Sequence, residues 1–153
     1  MTDQKLIWCC KQKRGITLID FKYHLSESYL KEADETIEMM IVANKKWKVI
    51  TGYYACYHAL YSILMKAGVK SEIHDCTIEL MKLFEEFNDE EYIFLKKLKK
   101  DRIDAQYYIK DVELKSEDNV KSFVIKCKLI LNDFNKDKIE RLRVTIRDCM
   151  KDA

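Results

Sequence analysis

Two segments of the chain combine charged and aromatic side chains in patterns that could bind phosphate or a nucleobase. The first is an aromatic run over residues 52–61, which contains His58, and the second begins at Arg102 and ends with Tyr107 and Tyr108. A guanidinium binds phosphate through paired N–H donors, histidine titrates near neutral pH, and an aromatic face accepts any nucleobase. The two segments therefore predict an anion-binding or nucleotide-binding site if the fold brings them together.

Two histidines are candidates for proton transfer or anion binding. His58 lies four residues after Tyr54, where it is either a catalytic base or a satisfied core histidine. His74 precedes a predicted helix start beside Asp75, so it either helps to bind an anion or makes a helix-boundary contact. The residue types leave both alternatives open for each histidine.

Arg102 lies in line with Leu98 and Ala105 at helical spacing, so its stem is expected to cross apolar surface. Its guanidinium would then reach a phosphate, a partner chain or a carboxylate. The structural alternative is an ion pair with Asp101 or Asp104, or with an acid elsewhere. Sequence alone leaves the binding site and the ion pair as competing interpretations.

Tyrosines and lysines near these residues have competing explanations as well. At helical spacing the tyrosines of the aromatic run are typical of a buried core, although their faces could stack on a base. The lysines before Arg102 form either a phosphate-binding surface or a solvated helix face. The two sets are Tyr53, Tyr54, Tyr57 and Tyr61, and Lys96, Lys97, Lys99 and Lys100.

The composition indicates one soluble globular domain. The chain has 153 residues, of which 48% are hydrophobic and 35% charged, and its formal net charge of +2 does not by itself indicate nucleic-acid binding. Its apolar runs are shorter than the roughly 20 residues of a membrane span, and residues 1–5 lack the features of a secretory signal. We therefore expect a cytoplasmic protein that does not enter a membrane.

The cysteines and glycines give no positive indication of a metal or cofactor. The six cysteines are scattered, without a Cys-x-x-Cys pair, and are expected to be small buried hydrophobes rather than a zinc or redox site. A phosphate-cradling glycine loop, a carboxylate metal motif and a nucleophile elbow are also missing from the sequence. We therefore predict no metal and no cofactor.

The pattern of the chain predicts an all-α fold. Zero prolines and three glycines leave few places for tight turns, while apolar residues recur at helical spacing. We predict an up-and-down helical bundle of about five core helices plus short terminal helices, in a single domain over residues 1–153. The core is expected over residues 26–134, and a C-terminal surface helix over residues 136–151.

Capping residues and glycines set the predicted helix boundaries. The first expected element is a short helix over Lys5–Lys13, followed by an extended link. The next two are a helix capped by Ser26 or Ser28 that ends near Asn44, and a buried helix from Trp47 to a stop at Gly68. A helix capped by Asp75, with Ile78, Met81, Phe84 and Phe87 inside, then precedes one helix that starts at Asn88 and another that starts at Ser116.

Three motifs in this order resemble the HEPN domains, named for higher-eukaryote and prokaryote nucleotide binding. The resemblance is to the small stand-alone archaeal and bacterial members and spans roughly residues 29–134. The motifs are Tyr53-Tyr54-Ala55-x-Tyr57-His58-Ala59-Leu60, Gly68 followed by Ile73-His74, and Arg102-x-Asp104-Ala105-x-Tyr107 after a lysine-rich helix.

This resemblance implies an up-and-down helical bundle, commonly a homodimer, that is often encoded beside a minimal nucleotidyltransferase. Many HEPN proteins are metal-independent endoribonucleases that use an arginine and a following histidine at a dimer cleft. Arg102 matches that arginine, whereas Tyr107 and Tyr108 occupy the place of the histidine. In some HEPN toxins a tyrosine near this motif accepts a nucleotidyl group, which the resemblance extends to these two tyrosines.

The missing histidine affects the expected chemistry, because a phenol with a pKa near 10 is a poor general base at pH 7. We expect a homodimeric nucleotide-binding or RNA-binding protein of a regulatory or toxin–antitoxin-like module, paired with a nucleotidyltransferase. The alternatives are a metal-independent endoribonuclease that uses Arg102, and a purely protein-binding helical module. Catalytic candidates are Arg102, Tyr107 and His58; candidates for nucleotide or RNA binding are Arg102, Asp104, Tyr107, Tyr108, Lys99, Lys100 and His74.

Overall fold

The computed structural model describes residues 3–153, which form a helical bundle with one very small sheet. The all-α prediction is confirmed. The elements are α1 Gln4–Lys11, β1 Thr17–Leu18, α2 Tyr23–Val42, α3 Lys45–Lys66, β2 Val69–Lys70, α4 His74–Glu79, a 3₁₀ turn Leu80–Leu83, α5 Asp89–Tyr107, α6 Glu117–Asn132 and α7 Lys136–Lys151.

The central element is α3, which is buried almost along its whole length because it is apolar on nearly every side. The side chain of Asn44 accepts a hydrogen bond from the Trp47 amide and caps its start. Its end follows the prediction, since Gly68 adopts φ +67° in the left-handed region. Trp47 departs from the expected stripe, because it lies in the first turn and is half exposed.

Three helices pack around α3, and α2 makes the most extensive contact with it. The short link between α2 and α3 makes the two helices antiparallel, and the Ser26 hydroxyl donates to the Ser62 carbonyl between them at 2.7 Å. Helices α5 and α6 cover other sides of α3, whereas α1 packs on α4 and α7. Strands β1 and β2 pair antiparallel, with Thr17 opposite Lys70 and Leu18 opposite Val69.

Several boundary predictions are wrong for local physical reasons. Helix α2 begins at Tyr23, before either predicted serine cap, because the Ser26 hydroxyl bonds to α3 and the Ser28 hydroxyl to the His24 carbonyl. Asp75 does not cap α4, since its carboxylate pairs with Lys99 instead.

Other predicted ends are shifted along the chain. The opening helix ends at Lys11, and α3 begins at Lys45, two residues before the predicted Trp47. Helix α4 stops at Glu79 and continues as the 3₁₀ turn, although its predicted inner residues are all buried. The predicted starts at Asn88 and Ser116 are confirmed, and Asn88 forms a full capping box with Glu91.

The expectation that the cysteines are simply small buried hydrophobes is wrong for two of the six. Cys9 on α1 and Cys76 on α4 form a disulfide across a sequence separation of 67 residues. The fold brings their Cα atoms to 5.6 Å, a normal spacing for this bond, which sequence spacing could not indicate. The other four, Cys10, Cys56, Cys127 and Cys149, are free.

Two classes of feature are missing from the described part of the chain. Within residues 3–153, every helix is too short or too polar to cross a bilayer. The same residues contain no cluster of histidine, cysteine and acidic side chains suited to hold a metal ion.

Candidate functional site

The guanidinium of Arg102 lies in a pocket of aromatic rings between α5 and α3. The side chain follows the buried line of α5, as the sequence predicted, and is only 6% exposed. Its Cζ atom lies 4.9 Å from the ring centre of Tyr53, 5.5 Å from that of Tyr54 and 5.8 Å from that of Tyr107. These distances place the cation in contact with three electron-rich rings.

The charge of Arg102 has no carboxylate partner in residues 3–153, so the predicted structural ion pair is not formed. Asp101 pairs with Lys97 at 3.1 Å, and Asp104 pairs with Lys100 at 2.9 Å. The guanidinium Nη1 donates to Gln106 Oε1 at a long 3.4 Å, and the hydroxyl of Tyr53 is a second neutral acceptor beside it. The buried Nε atom has no hydrogen-bond partner. A buried cation in this state is suited to receive an anion.

His74 at the start of α4 faces the same rings. Its Nδ1 lies 2.7 Å from the hydroxyl of Tyr53, and its ring stacks on Tyr57 with 4.1 Å between ring centres. Burial is the largest cause that lowers the pKa of His74, to about 4, and the charges of Arg102 and Lys99 lower it further. His74 is therefore neutral at pH 7.

The hydrogen bond between Tyr53 and His74 permits two tautomers of the neutral ring. If the phenol donates to Nδ1, Nε2 carries a hydrogen and can donate to a phosphate oxygen. If Nδ1–H donates to the phenol oxygen, Nε2 has a free lone pair and can accept a proton. The first tautomer suits anion binding, and the second suits general base catalysis.

His58 extends this cluster along α3. Its ring centre lies 5.8 Å from that of Tyr54, one helical turn earlier, and 5.7 Å from that of Tyr29 on α2. Burial lowers its pKa, with a smaller opposing effect from Glu32, and its buried Nδ1 has no hydrogen-bond partner. His58 is thus not a fully satisfied core histidine. It does not contact Arg102 directly, and Tyr54 lies between the two side chains.

The remaining candidates lie on the surface of α5 or just after it. Lys99 pairs with Asp75 at 2.8 Å, beside His74. Lys100 and Asp104 pair with each other, so the structure does not gather them around Arg102. The ring of Tyr108 is 67% exposed and faces the Lys110 ammonium at 5.9 Å rather than the guanidinium.

A groove of about 590 Å³ runs along the basic side of α5, next to the aromatic pocket. Its lining combines apolar and basic side chains, and its Lys99 pairs with Asp75, the chain neighbour of His74. It is lined by Asp75, Tyr92, Ile93, Lys96, Lys97, Lys99, Lys100 and Ile103. Three of its lysines, Lys97, Lys99 and Lys100, are paired with carboxylates, so an extended anion from Arg102 would have to compete with those acids for them.

For Tyr53 and Tyr57 the sequence favoured a place in the core and left base stacking open. Both are buried, but the Tyr53 hydroxyl contacts His74, the Tyr57 ring stacks on His74, and Arg102 lies over the Tyr53 ring. Their spacing by four places them on one face of α3. The sequence has no signal that α4 meets this face, because that contact is long-range.

Comparisons with family models, curated proteins and solved structures found no match to this chain. The chemistry of the site must therefore be argued from its own residues. A buried cation, a neutral imidazole and partly exposed aromatic rings can together bind a phosphate that is attached to a planar base.

Proposed function

We propose that this chain is a HEPN-type protein that binds the phosphate of RNA or of a nucleotide at the aromatic pocket around Arg102. The observation that supports the proposal most directly is the guanidinium itself, which is buried, charged and without a carboxylate. Burying an unpaired charge costs stability, so its retention favours a ligand that supplies the missing negative charge.

Each residue of the pocket would contact a different part of the bound nucleotide. Arg102 would bind two phosphate oxygens, and Nε2–H of His74 would donate to the same group. The exposed ring of Tyr107 and the half-buried ring of Tyr54 would contact a base. Lys99, one turn before Arg102, would attract a flanking phosphate from the groove.

The wider biological setting follows from the resemblance to HEPN domains. We propose a homodimer in a cytoplasmic regulatory or toxin–antitoxin-like module, with a minimal nucleotidyltransferase as partner. In this setting Tyr107 or Tyr108, which are 64% and 67% exposed, would be reachable acceptors for a nucleotidyl group. Ribonuclease turnover is expected to be low, because these phenols replace the motif histidine.

The test is a titration of the purified protein with an RNA oligonucleotide and with ATP at physiological salt. We expect saturable binding that weakens at least about tenfold in Arg102→Met, since a charge-assisted hydrogen bond contributes roughly 1.5–3 kcal/mol. Arg147→Met is the matched control, because Arg147 is a surface arginine paired with Glu140. Equal affinity of the two variants would overturn the proposal.

A second candidate is a metal-independent endoribonuclease in which His74 replaces the missing motif histidine. It is favoured by one contact, the 2.7 Å pair of Tyr53 and His74 beside Arg102. A bound phosphate would offset the Arg102 charge and raise the low pKa of His74 toward neutrality, where it is a better base.

This candidate predicts RNA cleavage in excess chelator that is lost in both Arg102→Met and His74→Gln. His58→Gln tests the other predicted base in the same assay. Cleavage lost only with His58→Gln would reject His74 as the base, and no cleavage by the wild type would reject the nuclease.

A further inference from the structure

The disulfide lies next to the aromatic pocket in the chain and in space. Cys76 follows His74 by two residues within α4, and its partner Cys9 belongs to the N-terminal helix α1. Both cysteines are fully buried. The bond is therefore a covalent connection between α1 and the short helix that presents His74 to Arg102.

Helix α4 has little local stability of its own. It has only six residues, and the side chain of Ile73 at its start provides no capping hydrogen bond. A helix of this length is unstable in isolation and depends on tertiary contacts. Those contacts are the disulfide, the packing of the buried Ile78, the contacts of Glu79 with Tyr92 and Lys82, the Tyr57 hydroxyl at 3.1 Å from that of Thr77, and the polar contacts of His74 and Asp75.

The free thiols of the chain are poorly suited to exchange with this disulfide. Cys10 is half-buried, and burial, with a smaller effect of Cys149, raises its pKa to about 11. Cys56, Cys127 and Cys149 are buried, and burial raises their pKa values as well. Because the thiolate is the attacking species, these groups are nearly inactive at neutral pH. The disulfide therefore persists until an external thiol reaches it.

We propose that the Cys9–Cys76 disulfide controls the aromatic pocket according to its redox state. In the oxidised protein, α1 holds α4 so that His74 remains against Tyr53 and beside Arg102. Reduction releases α4, displaces His74 and weakens phosphate binding. The binding part of this inference rests on the proposed function, whereas the movement of α4 does not.

The reductant is a dithiol. Its thiolate attacks one sulfur when the peripheral helix α1 opens locally, and a mixed disulfide forms. The second thiol of the reductant then closes its own S–S bond. Two electrons and two protons pass to the protein, which is left with thiols at Cys9 and Cys76.

The experiment compares oxidised wild type, wild type reduced with dithiothreitol, and Cys9→Ser, with Cys10→Ser as the adjacent control. Hydrogen exchange at the Thr77 amide, which donates to the Ile73 carbonyl at 3.0 Å, reports on α4. NMR signals of the His74 ring report on the pocket, and an RNA oligonucleotide is the binding probe.

We expect reduction and Cys9→Ser to speed Thr77 exchange about tenfold or more, to shift the His74 signals and to weaken RNA binding about tenfold, while α3 amides remain protected. Cys10→Ser should change none of these. Unchanged Thr77 exchange and His74 signals, or loss of protection throughout α3, would overturn the inference. If the oxidised protein binds no RNA, the proposed function fails, and the first two measurements still decide whether the disulfide holds α4.

Discussion

The C-terminal ends of α3 and α5 differ in how well the polar groups and the backbone conformation there are supported. At the end of α3, Gly68 adopts the left-handed conformation, and Arg143 donates to three carbonyls there, at 2.9 Å from Ala67, 2.9 Å from Gly68 and 3.1 Å from Ile19. Every part of this end is explained by helix capping.

The end of α5 also turns through a left-handed residue, and the Lys110 amide donates to the Asp104 carbonyl there at 3.0 Å, but this residue is not a glycine. Ile109, a β-branched residue, adopts φ +52° and is 72% exposed, directly after the exposed pair Tyr107 and Tyr108. The nearby Arg102 has no carboxylate partner in residues 3–153, and its Nη1 donates to Gln106 Oε1 at a long 3.4 Å. Strained backbone and unsatisfied charge concentrate at functional sites, so the contrast favours the end of α5, rather than that of α3, as the place of the proposed site.

The largest expected difference in stability is between substitutions of the two residues with a left-handed backbone, Gly68 and Ile109. A Cβ atom at Gly68 would lie 2.4 Å from the Ile19 carbonyl oxygen, so Gly68→Ala should destabilise the protein by about 3 kcal/mol through strain and clash. Ile109→Gly should instead stabilise it by about 0.5–1 kcal/mol, because relief of strain exceeds the entropic cost of glycine. Urea unfolding of both variants measures the two changes, and the same sign for both would break the comparison.

Substitution of the arginine near each helix end should also cost more stability at α3 than at α5, but the expected difference is smaller. Arg143→Met leaves three carbonyls without their donor and should cost about 2 kcal/mol. Arg102→Met removes a buried unpaired charge together with its ring contacts, and these effects offset each other to within about 1 kcal/mol. Urea midpoints of the pair test this, and an equal loss at Arg102 would mean that its charge is structural.

A separate expected effect is a pH dependence of stability that belongs to His74. Its folded-state pKa of about 4 lies below its ordinary value of 6.5, so the unfolded chain takes up the proton first as pH falls. Stability from this group is complete above pH 6.5 and is lost as pH falls to about 4. In His74→Gln the decline over this window should be shallower than in wild type, whereas replacing the exposed His24 should leave it unchanged. Parallel pH profiles of His74→Gln and wild type would contradict the assignment.

Local sequence rules predict much of the fold and even part of the site. Asn88, Ser116 and Gly68 mark helix ends because capping needs those side chains or that backbone freedom. The unpaired state of Arg102 could also have been predicted, since Asp101 and Asp104 each follow a lysine by four residues on α5. Without that spacing rule, an ion pair of Arg102 with these acids stood as an open alternative to a binding site.

The long-range contacts could not be predicted in this way. His74 reaches Tyr53 only because α4 folds back onto α3, and Cys9 reaches Cys76 only because α1 packs on α4. No periodicity within a segment encodes which segment will lie beside it. The sequence therefore indicated the residues of the site individually, and the fold determined that His74 lies with the arginine while Lys100 and Asp104 do not.

The most direct test of the central claim follows the His74 side chain by NMR while an RNA oligonucleotide is added to the oxidised protein. The account predicts a saturable shift of the His74 signals in the wild type, a rise in the His74 pKa as the bound phosphate offsets Arg102, and no such shift in Arg102→Met. RNA binding that leaves His74 unchanged, or that shifts it equally in Arg102→Met, would show that the aromatic pocket is not where the anion binds.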